Sequence, residues 1–233
     1  TIVSNNGNSQ QLAAFPSLEL KAEKLGLYPV IGSLYWLRRL LPLGLNIIQL
    51  RVKNLPLAEL EHTIKEAIEL AKNYKCRLFI NDYWQLAIKH GAYGVHIGQE
   101  DLADADLAKI QQAGLRLGIS THGCYEFLLA QQLQPSYLAV GAIFPTKTKD
   151  MTGQIQGIKN LRQLLALRSK NRSPQLSGHD DDAYISVVAI GGINLARASE
   201  VLATGVDSIA VVTAITEAAQ PELAVEQLKQ LIK

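Results

Sequence analysis

The feature that most restricts the fold of this chain is a regular alternation of short apolar runs with longer amphipathic stretches. The apolar runs occupy residues 27–31, 47–51, 77–81, 93–97, 116–120, 137–141, 185–190 and 207–212. The stretches between them have helical spacing: in residues 57–74, for example, Leu60, Ile64 and Ile68 recur every four positions. The alternation predicts eight strand-then-helix units along the chain.

Eight such units indicate an α/β protein, and we predict a single (β/α)8 TIM barrel with parallel strands. Barrel strands are covered on both faces, so they read as apolar runs without strict alternation. The alternative is a doubly wound open sheet, which usually has fewer strands. Pro29 lies inside the first run and weakens that strand, because proline cannot donate a hydrogen bond to a neighbouring strand.

Composition divides the 233 residues into regions. Residues 1–22, which begin with a stretch rich in Asn, Gln and Ser, are expected to form a polar amino-terminal tail or linker. Residues 23–233 are expected to form the barrel, with the polar stretch 169–183 as an inserted surface loop. Because this loop follows a helix and precedes a strand, we expect it on the face away from the chemistry.

Charge and composition narrow the class of partner. A net charge of +2 provides little long-range field, so we expect small anionic molecules rather than nucleic acid to bind. Glycines interrupt the longest apolar runs well before the ~18 residues that a membrane-spanning helix needs, so no membrane partner is expected. Cys76 and Cys124 lack the spacing of a disulfide framework or a zinc site, which favours a reducing cytoplasmic location.

Seven of the eight apolar runs lead into groups that can react or bind phosphate. In a barrel of this kind the carboxyl ends of the strands gather on one face, and the chemistry takes place there. Ordinary loops would be expected to carry scattered Lys and Glu residues, whereas each of these seven runs ends in cationic, carboxylate, hydroxyl or glycine groups. The segments concerned are 49–53, 80–83, 98–101, 120–122, 141–149, 191–193 and 212–213.

The charged members of these segments suit a diphosphate bound with a metal ion. Arg51, Lys53 and Lys149 are cations of the kind that bind phosphate oxygens. Asp82 and Asp101 are carboxylates from neighbouring strands, and carboxylates hold Mg²⁺ while substrate phosphates and water complete its coordination. The first inference is therefore a magnesium-bound diphosphate.

The glycine and hydroxyl members suit a second anion. The pair Gly191 and Gly192, together with the end of the eighth strand, offers backbone N–H groups at the usual phosphate position of this fold. Thr146 and Thr148 add hydroxyl donors. A face prepared for two anions suggests an enzyme that joins two phosphorylated substrates with loss of diphosphate.

Several of these residues also have a structural interpretation. Asp82 and Asp101 could each cap a following helix rather than bind a metal. His96 lies in a buried strand and is typical of a hydrogen-bonded core histidine, whereas His122 could begin a helix or act as an acid or base. Cys124 is expected to be a packing residue.

Taken together, these segments resemble the thiamine-phosphate synthase family. The matching stretches are QLRVK at 49–53, FINDYW at 79–84, GVHIGQEDL at 94–102, LGIST at 117–121, GAIFPTKTK at 141–149, VAIGGI at 188–193 and IAVVTAI at 209–215. They follow the order of the family and span about residues 25–232. Two differences from the family pattern are Ala142 in place of Pro and Thr213 in place of Ser, and the long stretch 169–183 is unusual.

The resemblance implies transfer of a hydroxymethylpyrimidine group from its diphosphate to the nitrogen of a thiazole phosphate, giving thiamine phosphate and diphosphate. It also implies a pyrimidine-stabilised cation, formed when diphosphate leaves. The residues it assigns to the pyrimidine diphosphate are Gln49, Arg51, Lys53, Asn81, Ser120 and Lys149. Those assigned to Mg²⁺ are Asp82 and Asp101, and those assigned to the thiazole phosphate are Thr146, Thr148, Gly192, Val212 and Thr213.

Two other functions remain open at this point. A thiazole tautomerase has a similar barrel and would favour a histidine base such as His122, without needing the diphosphate set. A catalytically silent barrel could bind thiamine precursors or serve as a subunit of an assembly. The sequence also leaves a homo-oligomer open. Because the chain begins at Thr1, a further hypothesis is that it is the carboxyl-terminal part of a fusion with a pyrimidine kinase.

Overall fold

A computed structural model describes residues 13–18, 25–147, 155–170 and 184–232 of the chain. Eight parallel strands form a closed barrel in sequence order, and the first strand pairs with the eighth. The strands are β1 (Gly26–Ile31), β2 (Ile47–Leu50), β3 (Arg77–Asn81), β4 (Gly94–Ile97), β5 (Arg116–Thr121), β6 (Tyr137–Val140), β7 (Ser186–Ile190) and β8 (Ser208–Val211).

Helices connect the strands and cover the outside of the barrel. They are α1 (Leu34–Leu40), α2 (Leu57–Asn73), α3 (Trp84–Lys89), α4 (Gln99–Leu102), α5 (Leu107–Gln112), α6 (Cys124–Gln132), α7 (Gly157–Ala166), α8 (Leu195–Leu202), α9 (Thr213–Thr216) and α10 (Pro221–Leu231), with a 3-10 turn at Leu41–Leu43. In α2 the predicted face is buried, because Leu60, Ile64 and Ile68 all pack in the outer core. Within the described parts of the chain, no helix is both long and apolar enough to cross a membrane.

The predicted barrel is confirmed. Each of the eight apolar runs is a strand, and the predicted ends differ from the observed ones by at most one residue. The open-sheet alternative is wrong, because β1 pairs with β8 and leaves no free edge. Pro29 does lie within β1, opposite Val211, although it cannot donate to its neighbour.

Aromatic rings fill the barrel interior toward the amino ends of the strands. The rings of Phe79 on β3 and Tyr137 on β6 meet edge to face, with centroids 5.1 Å apart. Glycines on the strands between them make the space: a Cβ on Gly94 would lie 2.5 Å from the ring of Phe79, and one on Gly118 only 2.1 Å from that of Tyr137. Among the described residues, the packed rings fill this end of the barrel, and the cavity opens at the carboxyl ends of the strands.

Residues 13–18 close the amino-terminal end of the barrel. Phe15 and Leu18 are buried, and the Phe15 N–H donates to the carbonyl of Gln134 at 2.9 Å. Arg77 Nε donates to the Leu18 carbonyl at 2.8 Å. The structure thus assigns these six residues to the barrel rather than to the tail expected at 1–22, because their apolar side chains cover its open end; the rest of that stretch lies outside the described residues.

The residues on either side of the expected surface loop at 169–183 pair with each other. The Ile185 N–H donates to the Ser169 carbonyl at 3.0 Å, and Lys170 forms an antiparallel bridge with Tyr184. Both contacts precede β7, so the stretch leaves and rejoins the fold at the amino-terminal end of that strand. Residues 171–183 themselves are outside the described parts of the chain.

Ser136→Ala is expected to lower the free energy of unfolding by about 1–2 kcal/mol. The Ser136 hydroxyl is 2% exposed, donates to the Pro16 carbonyl at 2.6 Å and accepts from the Leu117 N–H at 2.9 Å, so it joins residues 13–18 to the barrel. Urea denaturation would measure the change. The exposed Ser199 on α8 provides the matched serine control, and equal losses in both variants would contradict the role of Ser136.

Candidate active site

A cavity of about 340 Å³ opens at the carboxyl ends of the strands, and all eight strands or the loops that follow them contribute to its lining. Every predicted site residue that the structure describes lines this cavity. They are Gln49, Arg51, Lys53, Asn81, Asp82, Asp101, Ser120, Thr146, Gly192, Val212 and Thr213. The other two, Thr148 and Lys149, lie outside the described residues.

The two carboxylates of the predicted metal site line the same side of the cavity mouth, because they follow neighbouring strands. Asp82 follows β3, and Asp101 lies in α4. The pKa of the Asp82 carboxyl is raised, first by burial and then by the negative charge of Asp101, while Arg51 and Lys53 act in the opposite direction. Two carboxylates that repel each other in a partly buried cavity suit a divalent cation, which would neutralise both charges.

Neither carboxylate caps a helix, so the alternative that Asp82 and Asp101 are helix caps is wrong. The residue preceding α3 is Tyr83, and no side chain caps that helix. The Asp82 carboxylate instead accepts a hydrogen bond from Asn81 Nδ2 at 2.6 Å. Asp101 lies within α4 rather than before it. Both carboxylates are therefore free of a capping role.

The backbone of Asp82 aims this side chain. Its φ of 63° lies in the left-handed region, which Asp and Asn tolerate better than other non-glycine residues. The Asp82 N–H donates to the carbonyl of His96 on the neighbouring strand at 2.9 Å. The turn is thus fixed to β4 at the point where the chain leaves β3, and the carboxylate is held at the mouth.

Arg51 and Lys53 are the cationic part of the site. The Arg51 N–H donates to the Ile31 carbonyl at 2.8 Å, which fixes the backbone just beyond the end of β2. Across the described parts of the chain, neither side chain forms an ion pair. Cations at a cavity mouth without a carboxylate in salt-bridge contact are available to an anionic ligand.

The donor set fits magnesium held jointly with a substrate. Within the described ranges, no three His, Cys, Asp or Glu side chains lie close enough together to hold a metal ion by themselves. Mg²⁺ is commonly held by one or two carboxylates, with substrate phosphates and water as its other ligands. Asp82 and Asp101 provide those carboxylates.

Gly191 and Gly192 shape the opposite side of the mouth, after β7. Both have positive φ values, of 105° and 64°. A Cβ on Gly192 would lie 2.5 Å from the Pro145 carbonyl oxygen, so glycine is required for the close approach of the two loops. Thr146 and Thr213 line the cavity beside this turn, and the mouth therefore has a polar side away from the carboxylates.

One contributor to this side was missed by the sequence reasoning. Arg197 of α8 donates from Nη1 to the Gly192 carbonyl at 2.8 Å, and its guanidinium lies over the ring of Phe144, 4.7 Å from the centroid. It thereby joins the glycine turn to the loop after β6. An arginine in the first turn of an exposed helix gives no sign of this in the sequence.

His122 lies at the cavity, whereas Cys124 lies on the surface. His122 lines the cavity; its Nδ1 lies 2.9 Å from Glu126 Oε2, and the same oxygen accepts from the His122 N–H at 2.7 Å. These contacts favour its role at the start of α6. The prediction that Cys124 packs in the interior is wrong, because this first residue of α6 is exposed.

The cavity floor is a line of buried polar groups that the sequence reasoning did not connect. Tyr28 and Tyr137 Oη atoms lie 2.7 Å apart, and His96 Nδ1 lies 2.6 Å from Tyr137 Oη. On the other side of the imidazole, Nε2 lies 2.7 Å from Ser120 Oγ. Burial, and to a smaller extent the charge of Arg51, lowers the pKa of His96 to about 3, so this histidine is neutral. Its prediction as a hydrogen-bonded core residue is confirmed, although it also lines the cavity.

Comparison with known proteins identifies relatives of this barrel. Residues 27–215 match the model of a family described as thiamine monophosphate synthase. A thiamine-phosphate synthase of Yersinia pseudotuberculosis is 54% identical over 219 residues, which are 94% of each chain. One of Photorhabdus laumondii is 52% identical over 210 residues, which cover 90% of this chain and 91% of the relative.

Solved structures of similar proteins have the same barrel fold. A thiamine phosphate pyrophosphorylase from Pyrococcus furiosus superposes with a TM-score of 0.73 at 31% sequence identity, over 89% of this chain and 95% of the other. The 3-hexulose-6-phosphate synthase of Salmonella typhimurium, at 18% identity and a TM-score of 0.60, shares the fold.

Proposed function

This chain belongs to the thiamine monophosphate synthase family, and from that premise we propose how its cavity carries out the synthesis of thiamine phosphate. The enzyme is a transferase whose substrates are two small phosphorylated molecules, a hydroxymethylpyrimidine diphosphate and a thiazole phosphate. In the reaction the C–O bond between the pyrimidine methylene and the diphosphate breaks. A C–N bond to the thiazole nitrogen forms, and thiamine phosphate and diphosphate are the products.

We assign the diphosphate to the side of the mouth that carries Arg51, Lys53, Asp82 and Asp101. The two cations would bind its oxygens directly, and the two carboxylates would hold Mg²⁺. When bound, the metal ion neutralises the charge that accumulates on the departing diphosphate. The support for this assignment is the absence of any ion pair from Arg51 and Lys53 in the described parts of the chain and the mutual repulsion of the carboxylates. Lys149, outside the described residues, is assigned to the same group by the family resemblance.

The pyrimidine ring is assigned to the inner part of the cavity, against Gln49, Asn81 and Ser120. Gln49 and Asn81 are buried side chains at the ends of β2 and β3, and their amides offer both donors and acceptors to an aminopyrimidine. Ser120 adds a hydroxyl from β5. The ring thus lies beneath the diphosphate with its methylene directed toward the centre of the mouth.

The thiazole phosphate is assigned to the opposite side, against Thr146, Gly192, Val212 and Thr213. Hydroxyl and backbone N–H groups bind a phosphate without adding net charge. The glycine turn, held by Arg197, keeps this side open to a ligand. Thr148, outside the described residues, is assigned to the same phosphate by the resemblance.

No nucleophilic side chain is needed in this mechanism. Departure of diphosphate leaves a positive methylene group that the electron-rich ring stabilises, and the thiazole nitrogen donates its electron pair to that carbon. Water would compete for the same carbon. The apolar wall of the cavity, which includes Val30, Val188 and Ile190, limits its access.

We also propose a cytoplasmic location. The supporting observation is chemical: both Cys76 and Cys124 carry free thiols, which persist in a reducing compartment.

The observation that carries the proposed function is the convergence of Arg51, Asp82 and Asp101 around one cavity. The test is release of diphosphate by the purified protein from both substrates, with the thiazole phosphate supplied in its carboxylated and its aromatic form. We expect release to require both substrates, to stop when a chelator removes Mg²⁺ and to return when Mg²⁺ is restored. Isomerisation of the thiazole phosphate without diphosphate release would contradict the proposal and identify a tautomerase.

A further inference from the structure

Five side chains form a continuous line of hydrogen bonds along the floor of the cavity, which we call the relay. It runs from Gln49 to Tyr28, then to Tyr137, His96 and Ser120, and so joins β2, β1, β6, β4 and β5. The link from Gln49 Nε2 to Tyr28 Oη is the longest, at 3.4 Å. All five side chains line the cavity, and the proposed function assigns the two ends of the relay to the pyrimidine diphosphate.

The central members of the relay are almost closed to water, although they line the cavity. Tyr137 is inaccessible, Tyr28 is 1% exposed, and His96 is 5% exposed. The two ring nitrogens of His96 face hydroxyl oxygens rather than carboxylates, so nothing in the relay stabilises an imidazolium. The ring therefore carries one hydrogen, on either Nδ1 or Nε2.

With the Gln49 amide oriented as in the structure, Nε2 toward Tyr28 Oη, a count of hydrogens gives the nitrogen that carries it. The Gln49 nitrogen can only donate, so Tyr28 accepts there and its single hydrogen has only Tyr137 as acceptor. The hydrogen of Tyr137 must then go to His96 Nδ1. The imidazole hydrogen consequently lies on Nε2 and is donated to Ser120 Oγ.

The opposite polarity would leave a buried group without a partner. If Ser120 donated to Nε2, the hydrogen on Nδ1 would go to Tyr137 and that of Tyr137 to Tyr28. The Tyr28 hydrogen would then face the Gln49 nitrogen, which cannot accept it. A buried hydroxyl hydrogen without an acceptor is costly, so the amide orientation of Gln49 sets the direction of the whole relay.

We propose that the relay holds the Ser120 hydroxyl as a hydrogen-bond donor toward the pyrimidine diphosphate, with His96 as a positioning residue. Because Ser120 Oγ already accepts from His96, its own hydrogen is left for the cavity. Ser120 Oγ has no other hydrogen-bond partner among the described residues. The hydroxyl therefore selects a ligand that presents an acceptor atom at this point. This role rests on the proposed function, whereas the direction of the relay does not.

The direction of hydrogen-bond donation along the relay determines the tautomer of His96, which can be measured. Long-range ¹H–¹⁵N correlation spectra of labelled protein without substrate distinguish a protonated ring nitrogen from a bare one. The chain has five histidines. His96 is identified by the loss of its signals in His96→Gln, or by contacts with the ring of Tyr137, whose centroid is 5.6 Å away. We expect the hydrogen on Nε2; a hydrogen on Nδ1 would overturn the proposal.

The consequence for binding can be measured by calorimetry with pyrimidine diphosphate and Mg²⁺, in the absence of thiazole phosphate. Ser120→Ala and Tyr137→Phe are each expected to weaken binding roughly fivefold, because each removes the oriented donor. The double variant should bind no more weakly than Ser120→Ala alone. Losses that multiply in the double variant would show that Tyr137 acts independently of Ser120 and would overturn the proposal.

Tyr93→Phe is the matched control. It removes a phenol hydroxyl from the same barrel interior, where Tyr93 Oη donates to the Leu18 carbonyl at 2.9 Å, but it does not touch the relay. We expect it to change neither the tautomer of His96 nor the affinity. If wild-type protein binds no pyrimidine diphosphate, the proposed function fails, while the tautomer, which needs no substrate, still decides the direction of the relay.

Discussion

Replacing Asp82 by asparagine is expected to lower kcat/KM for diphosphate release by a factor on the order of 10² to 10³, the usual loss for a group that stabilises transition-state charge. The substitution removes one of two carboxylates available to Mg²⁺ but keeps the shape of the side chain. Asn also tolerates the left-handed backbone at this position, where φ is 63°, so the turn after β3 should be preserved. Steady-state kinetics at several Mg²⁺ concentrations would measure the loss.

The thermal stability of Asp82→Asn should equal or exceed that of the wild type. Burial and the neighbouring Asp101 raise the pKa of this carboxyl, which means that its charge is unfavourable in the folded protein without a metal ion. Asp104→Asn, at an exposed position close to α4 and outside the cavity lining, is the matched control and should retain full activity. A loss of Tm parallel to the loss of activity would instead identify Asp82 as a structural residue.

The barrel could be predicted from the sequence because its signals are local. Seven of the eight strands are followed directly by a polar or glycine residue, and parallel strands place those residues on one face by topology alone. Strand topology alone therefore predicts that Arg51, Asp82 and Asp101 lie together, without any knowledge of side-chain packing. The sequence predicts a tail at residues 13–18 because the segment's role as a cover depends on distant partners such as Gln134 and Ser136.

The floor of the site could not be predicted in the same way. Tyr28, His96 and Tyr137 come from strands that are far apart in the sequence and meet only because the barrel closes. Alternation along each strand could indicate that Tyr28 points inward with Val30, but not which hydroxyl it meets. Pairing across a barrel interior depends on side-chain volume, and the glycines that provide that volume lie on other strands.

Gly118→Ala should therefore be among the most destabilising single methyl additions, with a loss of about 3 kcal/mol in the free energy of unfolding. The added Cβ would lie 2.1 Å from one ring atom of Tyr137 and 2.4 Å from its hydroxyl oxygen. Tyr137 is fully buried and held by Tyr28 and His96, so the ring cannot move away without breaking the relay. Urea denaturation would measure the loss.

Gly98→Ala is the control for this prediction, because a Cβ at Gly98 meets no atom within 4 Å and its φ of −78° suits alanine. It should change the free energy of unfolding by no more than about 0.5 kcal/mol. The cause can be isolated by adding Gly118→Ala to a Tyr137→Leu background, in which the shorter side chain leaves room for the methyl group. There the additional loss should fall below about 1 kcal/mol, since contacting residues are not additive. A full loss in that background would mean that the strand backbone, rather than the ring of Tyr137, requires glycine at position 118.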